Sequence, residues 1–503
     1  MITKLIRLVL TIAALCIGVA LVLLGNLYSG GVLVIFVMVA AGLSQSSRFK
    51  DLVSVFHRRF ALALTSASVG AALILLAAAV GYVPGFGSAV ARPAVTISRD
   101  YRALELFGKV FDIVRADYVD KPNDAKLIAS ALQGMLSGLD PHSSYMDAKN
   151  FRDMQVDTTG QFGGLGMEVT LSDGFIKVVS PIDNTPASKA GILAGDIIMQ
   201  VDDQPVKGIA LDRVAAKLRG PVGSQVRLEI SRKADPNPIH VTLTRETIKI
   251  QSVKDHAEGN DVGYVRITQF NDLTTDELKG ALKNLAKKLA EHKVKGYILD
   301  LRNNPGGLLD QAVSVSDAFL NQGEIVSIRG RAPDESQRFD AKPGDLIHGK
   351  PLIVLINGGT ASAAEIVSGA LQDHKRATIL GTRSFGKGSV QTIIPLGPGN
   401  GALRLTTARY YTPSGRSIQA QGITPDIKVA EQVPKNIAAH MSSISEADLR
   451  GHLKATGAEE KGSQSYVPSD EKDDRALQTA IALLRGTKTN PVFPPNATQA
   501  RAN

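Results

Sequence analysis

Ser362, in the run Asn357-Gly-Gly-Thr-Ala-Ser-Ala-Ala-Glu365, and Lys387, in Ser384-Phe-Gly-Lys-Gly-Ser-Val-Gln391, stand 25 positions apart and read together as a nucleophile and its base. A serine hydroxyl is a weak nucleophile near neutral pH and needs a neighbour that takes its proton as it attacks a carbonyl carbon. Lysine can do this only when neutral, a state that burial favours because desolvation penalises the ammonium form. Phe385, Gly386, Gly388 and Val390 are the small or apolar neighbours that suit such burial. The chemistry open to this pair is acyl transfer, with Ser362 attacking and Lys387 as general base.

Positioning that pair requires particular elements. Pro351-Leu-Ile-Val-Leu-Ile356 predicts a buried strand and the Ala-rich stretch after Thr360 a helix, which sets Ser362 at a helix N-terminus. Unpaired N–H groups and the positive end of the helix dipole collect there and favour an oxyanion, with the Ala363 amide as first donor. The apolar strand 297–299 leads into Asp300-Leu-Arg-Asn-Asn-Pro-Gly-Gly307, whose paired glycines allow close backbone approach. Gly306, or else Gly307, is the candidate second donor. Plainer readings compete. Ser362-x-x-Glu365 also fits a capping box, and Gly306-Gly307 an ordinary strand-to-helix turn. Gly381-Thr-Arg-Ser-Phe-Gly-Lys-Gly388 matches a phosphate-binding loop as far as its lysine. Gly388 then stands where Ser or Thr would hold magnesium, and a strand follows where a helix is required.

In this order and spacing the motifs resemble the carboxyl-terminal processing peptidases, tail-specific serine proteases of family S41 with a Ser-Lys dyad, over about residues 96 to 430. The resemblance implies that Ser362 attacks the peptide, that Lys387 is the general base, that Gln391 orients the lysine, and that the Arg302 to Gly307 element lends an oxyanion amide, assigned to Gly306. It also implies an α/β catalytic core of the ClpP/crotonase kind, an inserted PDZ domain and an N-terminal helical region.

Gly163-Gly-Leu-Gly-Met-Glu-Val169, followed by Asn184-Thr-Pro-Ala-Ser-Lys-Ala-Gly-Ile-Leu-Ala-Gly-Asp196, looks like that PDZ domain. Successive glycine amides can capture a terminal carboxylate while the adjoining strand edge pairs with an extended peptide. Gly164, Leu165, Gly166 and Met167 are the candidate peptide-binding residues, and proteins with free C-terminal tails the expected partners. An inactive PDZ adaptor that presents tails without cutting them is the alternative from another class.

Residues 60–83 are uncharged and long enough to span a bilayer, and Arg48, Lys50, Arg58 and Arg59 precede them. The positive-inside rule keeps that flank cytoplasmic and exports the body, which predicts an inner-membrane anchor with the enzyme in the periplasm. Stretches 8–28 and 31–43 are candidate further spans, and Ala89-Val-Ala91 resembles a signal-peptidase site, with a retained anchor preferred. The single cysteine, Cys16, lies within the first apolar stretch, so the body forms no intrachain disulfide and offers no thiol for catalysis.

A net charge of +9 is dispersed among acidic residues without an aromatic stacking platform, which argues against nucleic acid and suits weak attraction to anionic lipid. His142, His256 and His374 lack zinc-ligand spacing, so neither metal nor cofactor is expected. The predicted divisions are a membrane anchor (1–91), a helical region able to mediate dimers (92–156), a PDZ domain (157–246), the peptidase core (247–430) and a C-terminal region (431–503) disordered from Thr487 onward. His142, in the Asp140-Pro-His-Ser-Ser-Tyr145 turn, reads as structural.

Overall fold

The computed structural model describes residues 99–495 apart from 173, 234, 291–292 and 439–442. No helix among these is long and apolar enough to cross a membrane, and the predicted spans 8–28, 31–43 and 60–83 lie outside the described residues.

The run Leu352–Ile356 is buried along its length and lies inside a six-stranded sheet. Its order is Val253–Glu258, Val262–Ile267, Gly296–Asp300, Leu352–Ile356, Thr378–Gly381 and Ile427–Lys428. The first pair is antiparallel and the rest are parallel. Parallel strands must be covered on both faces, which is why these read as near-continuous apolar runs. Leu299 and Val354 join the larger core with Leu278, Val315 and Val367 from the helices Thr274–Lys288, Leu309–Asp317 and Ala363–Asp373. Ile298 and Ile353 point the other way, onto Leu477, Ile481 and Leu484 of the helix Arg475–Arg485.

A second sheet is centred on the long strand Ala402–Tyr411, which pairs with Ser144–Met146, Glu324–Arg329 and Ser389–Pro395. Lys387 stands just before the last of these.

The PDZ-like unit has its own core. Its strands run in the order Met167–Ser172, Phe175–Pro181, Ile197–Val201, Gln225–Ser231 and Ile239–Thr244 around Ile176, Val178, Ile198, Leu228 and Ile230. The chain enters through Gln161–Gly164 and leaves through Glu246–Lys249, and these two strands pair as one ribbon. At its base Gly160 has φ 64°, and a Cβ there would lie 2.4 Å from the buried Asn271 side chain, so only glycine fits. The Ile250 N–H donates to the Gly160 carbonyl and the Asn271 amide to the Ile250 carbonyl, tying ribbon to core.

Helices Arg99–Asp117 and Asp124–Ser137 lie within the stretch 92–156 expected to be helical. The C-terminal region is more ordered than its composition predicts. Residues 487–495 fold back: Phe493 packs on the sheet's outer core and the Thr378 hydroxyl donates to the Val492 carbonyl. One aromatic side chain with an apolar seat outweighs a polar, Pro-containing neighbourhood.

Candidate active site

Ser362, Lys387, Gln391 and Gly306 line one cavity of about 360 Å³. Ser362 caps the helix Ala363–Asp373 with φ 54° and ψ −116°, a conformation costly for a residue with a Cβ. The chain turns sharply there to present a hydroxyl that makes no cap hydrogen bond. Only the return half of a capping box forms, the Ser362 N–H donating to Glu365 Oε2 at 2.8 Å.

Glu365 does far more than cap. Its fully buried carboxylate also accepts the Ser384 hydroxyl at 2.5 Å, the Gly386 N–H at 2.7 Å and the Lys387 N–H at 2.9 Å. One side chain thus clamps the Ser362 turn to the lysine loop. Burial pushes its carboxyl up to about 7 against the four donors that favour the anion. The same bonds dispose of the phosphate-loop reading: the amides a phosphate would need are taken by Glu365 and, for Gly388, by Gln419 Oε1. A strand follows, not a helix.

Burial lowers Lys387 to about 8, with Arg404 adding to the effect. Glu446, Glu365 and Asp140 oppose it. A fraction of neutral amine is therefore present near neutral pH. Gln391 is turned so that its Nε2 donates to Ser389 Oγ at 2.9 Å and Thr406 Oγ1 at 3.2 Å. A bond to Lys387 is not among those formed by the described residues.

The candidate oxyanion donors differ. The Ala363 N–H, at the first helical position, has no hydrogen-bond partner among the described residues. Gly306 approaches Ser362 so closely that a Cβ would lie 2.7 Å from Ser362 Cβ. Its N–H, however, donates to Asn304 Oδ1 at 2.9 Å and is not free as the loop stands. Gly307 bridges Phe270 through the flanking Gly306 carbonyl and Leu308 N–H, which leaves its own N–H uncommitted. Arg302 is not at the site. It is buried against Asp300 and Asp474, its guanidinium reaching Oδ2 of each at 2.7 Å, and so bolts the C-terminal helix to the sheet.

In the PDZ-like unit, Gly166 has φ 75° and a Cβ would lie 2.2 Å from Thr185. The Gly166 carbonyl takes the Ile182 N–H and the Thr185 hydroxyl, and the Leu165 carbonyl takes the Ala187 N–H. The Leu165 and Gly166 N–H groups are uncommitted among the described residues. The Leu165 side chain is core, so only its backbone faces a ligand, and Gly164 belongs to the ribbon, opposite Glu246. Met167 starts the strand Met167–Ser172, at one end of the sheet order with an open edge.

Several functional neighbours escaped the sequence reading. Glu365 was visible only as a cap. Asp140, Thr406, Gln419 and Glu446 gave no local signal. Glu446, from the polar C-terminal stretch, holds His142 Nε2 at 2.8 Å and Gln419 Nε2 at 2.9 Å behind the lysine loop. His256 Nε2 meets Glu258 at 2.8 Å, with Glu471 nearby, and none of the three lines the cavity that holds Ser362 and Lys387.

Comparison with known proteins agrees with this architecture. Residues 261–429 match peptidase family S41, residues 177–232 a PDZ domain, and residues 89–150 the N-terminal domain of the activating protease CtpB. Over 398 residues the chain is 56% identical to a carboxy-terminal-processing protease of Bartonella bacilliformis, covering 79% of this chain and 91% of that one. The carboxy-terminal processing protease CtpA of Bacillus subtilis is 36% identical over 371 residues, 73% of this chain and 76% of that one. A free serine hydroxyl at a helix N-terminus, a buried lysine in the same cavity and a PDZ unit on a two-stranded ribbon thus accompany extended sequence identity, and the chain belongs to the carboxy-terminal processing serine proteases of peptidase family S41.

Proposed function

We propose that this protease cuts peptide bonds with a Ser362–Lys387 dyad and selects substrates by their C-terminal tails. The observation that carries the reading is the shared cavity in which Glu365 braces the loops of both residues. Ser362 Oγ bonds to the scissile carbonyl carbon as its proton passes to neutral Lys387. The carbonyl oxygen, now an anion, takes the Ala363 N–H. A second donor comes from the Gly306-Gly307 turn, through Gly307 directly or through Gly306 once Asn304 lets go. Collapse breaks the carbon–nitrogen bond and Lys387 returns the proton to the departing amine. Water then attacks the acyl-enzyme, giving its proton to Lys387, and Ser362 is released with the proton restored.

The tail itself suits the PDZ unit, where uncommitted amides at Leu165 and Gly166 favour a carboxylate and the open edge of Met167–Ser172 favours an extended strand. Helix Ala148–Thr159 contributes Met154, Asp157 and Thr158 to the catalytic cavity and leads directly into the PDZ ribbon, which gives tail capture a physical route to the site. The residue 60–83 segment and its basic flank support a membrane-anchored enzyme facing the periplasm. The helix-covered, mostly parallel sheet is in keeping with a ClpP/crotonase-like core. Exposed Tyr118, Val119, Met135 and Leu139 suit contact with a second copy.

The test uses the full chain, wild type beside Ser362→Ala and Lys387→Ala, with an unfolded protein ending in an apolar tail. Loss of cleavage in both variants with unchanged circular dichroism is expected. Cleavage surviving either substitution would overturn the dyad, and equal cleavage of a substrate with a charged tail would overturn tail reading.

A further inference from the structure

Gln391 is asymmetric: one end of its carboxamide donates, the other accepts, and only one end can face Lys387. We propose that Asp140, supplied by the N-terminal region, is a positioning residue that fixes this choice through the Thr406 hydroxyl. The inference rests on the Ser-Lys reading and adds what holds it in register.

The Asp140 carboxylate is buried and accepts four hydrogen bonds. These come from the His142 N–H at 2.8 Å, the Ser143 N–H at 2.9 Å, Ser143 Oγ at 2.7 Å and Thr406 Oγ1 at 3.0 Å. An ionised carboxylate only accepts, so the single proton of Thr406 is committed to it. The hydroxyl then has lone pairs alone to offer its other neighbour. Gln391 Nε2 meets them at 3.2 Å and spends its second proton on Ser389 Oγ. The end left for Lys387 is Oε1, an acceptor. This is the end that a lysine amine needs, because an N–H held by Oε1 frees the nitrogen lone pair for the Ser362 proton. A reversed amide would set donor against donor. Ser143 Oγ also receives the Thr406 N–H at 3.1 Å, so the backbone of the relay is pinned as well.

The architecture delivers Asp140 deliberately. Strand Ser144–Met146 pairs with Ala402–Tyr411 in the register Ser144 to Arg404, which sets the 140–143 turn beside Thr406. Asp140 lies 266 positions from Thr406 and outside the segment matching the peptidase family, within the one matching the CtpB N-terminal domain. The N-terminal region therefore completes the active site.

The test measures kcat, KM and the pH profile of full-length variants on an unstructured peptide, with thermal melts alongside. Asp140→Ala, which removes the acceptor that Thr406 uses, is expected to lower kcat by about 10- to 100-fold with KM little changed, a cost of misorientation without lost binding. The charges facing Lys387 are Arg404 from the long strand, Glu446 from the C-terminal turn, Glu365 from the helix and Asp140 itself. Removing the Asp140 charge takes away an influence that holds the lysine pKa up, so the acid limb should move to lower pH even as the rate falls. Thr406→Val should lose rate similarly, and Thr406→Ser, which keeps the hydroxyl, should restore it. Wild-type kcat and acid limb in Asp140→Ala, or wild-type kcat in Thr406→Val, would overturn the relay, as would a loss of rate that only tracks a lower melting temperature. Where Asp140→Ala fails to fold, the Thr406 pair decides. Ser362→Ala and Lys387→Ala run in parallel: cleavage by either defeats the dyad itself, whereas their inactivity beside fully active Asp140 and Thr406 variants defeats the relay alone.

Discussion

At the scale of single residues, strain and burial are both put to use. Ser362 holds a backbone conformation that only glycine adopts freely, at a cost of about 1–3 kcal/mol. Ser362→Gly is expected to abolish cleavage yet raise unfolding stability in urea by about 1 kcal/mol or more, whereas Ser362→Ala should be equally inactive without that gain. As the proposed base, Lys387 must be neutral to act, so with its pKa lowered to about 8 the rate should fall about tenfold for each pH unit below that value and level off above it. The same shift also acts on folding. A lysine depressed in the folded state binds fewer protons there than when unfolded, so its contribution to stability grows as pH rises from about 8 toward the ordinary lysine value.

At the scale of elements, the helix Ala363–Asp373 and the lysine loop are one mechanical unit because Glu365 accepts from both. Glu365→Gln keeps the volume but swaps one acceptor oxygen for a donor that faces N–H groups. A stability loss of about 3 kcal/mol and a collapse of kcat are expected, read by urea denaturation and single-turnover cleavage. The strands and helices here were legible because their apolar residues recur with period 2 or 3.6, or run unbroken where both faces are covered. Ser362 and Lys387 were legible as candidates only through the joint spacing of their motifs, since each motif alone has a plainer reading, and the structure brings the two to one cavity. The role of Glu365 was not, since a cap and a clamp differ only in what arrives from 19 to 22 residues away. Asp140, Thr406 and Glu446 were silent for the same reason at greater separation. Gly306 was named as an oxyanion donor from its neighbours in sequence, and its occupation by Asn304 is a matter of loop conformation that composition does not encode.

At the scale of the whole molecule, distant segments brace the catalytic core from two sides. Arg302 joins Asp300 to Asp474 at the start of the C-terminal helix, and Arg302→Met should cost about 3–5 kcal/mol by stranding two buried carboxylates, visible as a lower urea midpoint. On the PDZ side, Gly166→Ala forces a Cβ into Thr185 and should weaken binding of an apolar-tailed peptide, measured by fluorescence anisotropy, while the peptidase core keeps its own fold. The stretch from Glu446 to Ser465 also braces the site. Glu446 accepts from Gln419, which holds Gly388, the Gln464 carbonyl receives the Gly358 N–H, and the Ser465 carbonyl receives the Asn357 amide. Synthesis proceeds from the N-terminus, so Ser362 and Lys387 exist well before these braces do. A chain ending at Ala430 should hold nucleophile and base yet cleave nothing. The stretch made after Lys387 should then act as a biosynthetic safety catch, keeping the newborn enzyme harmless to its neighbours until these braces form.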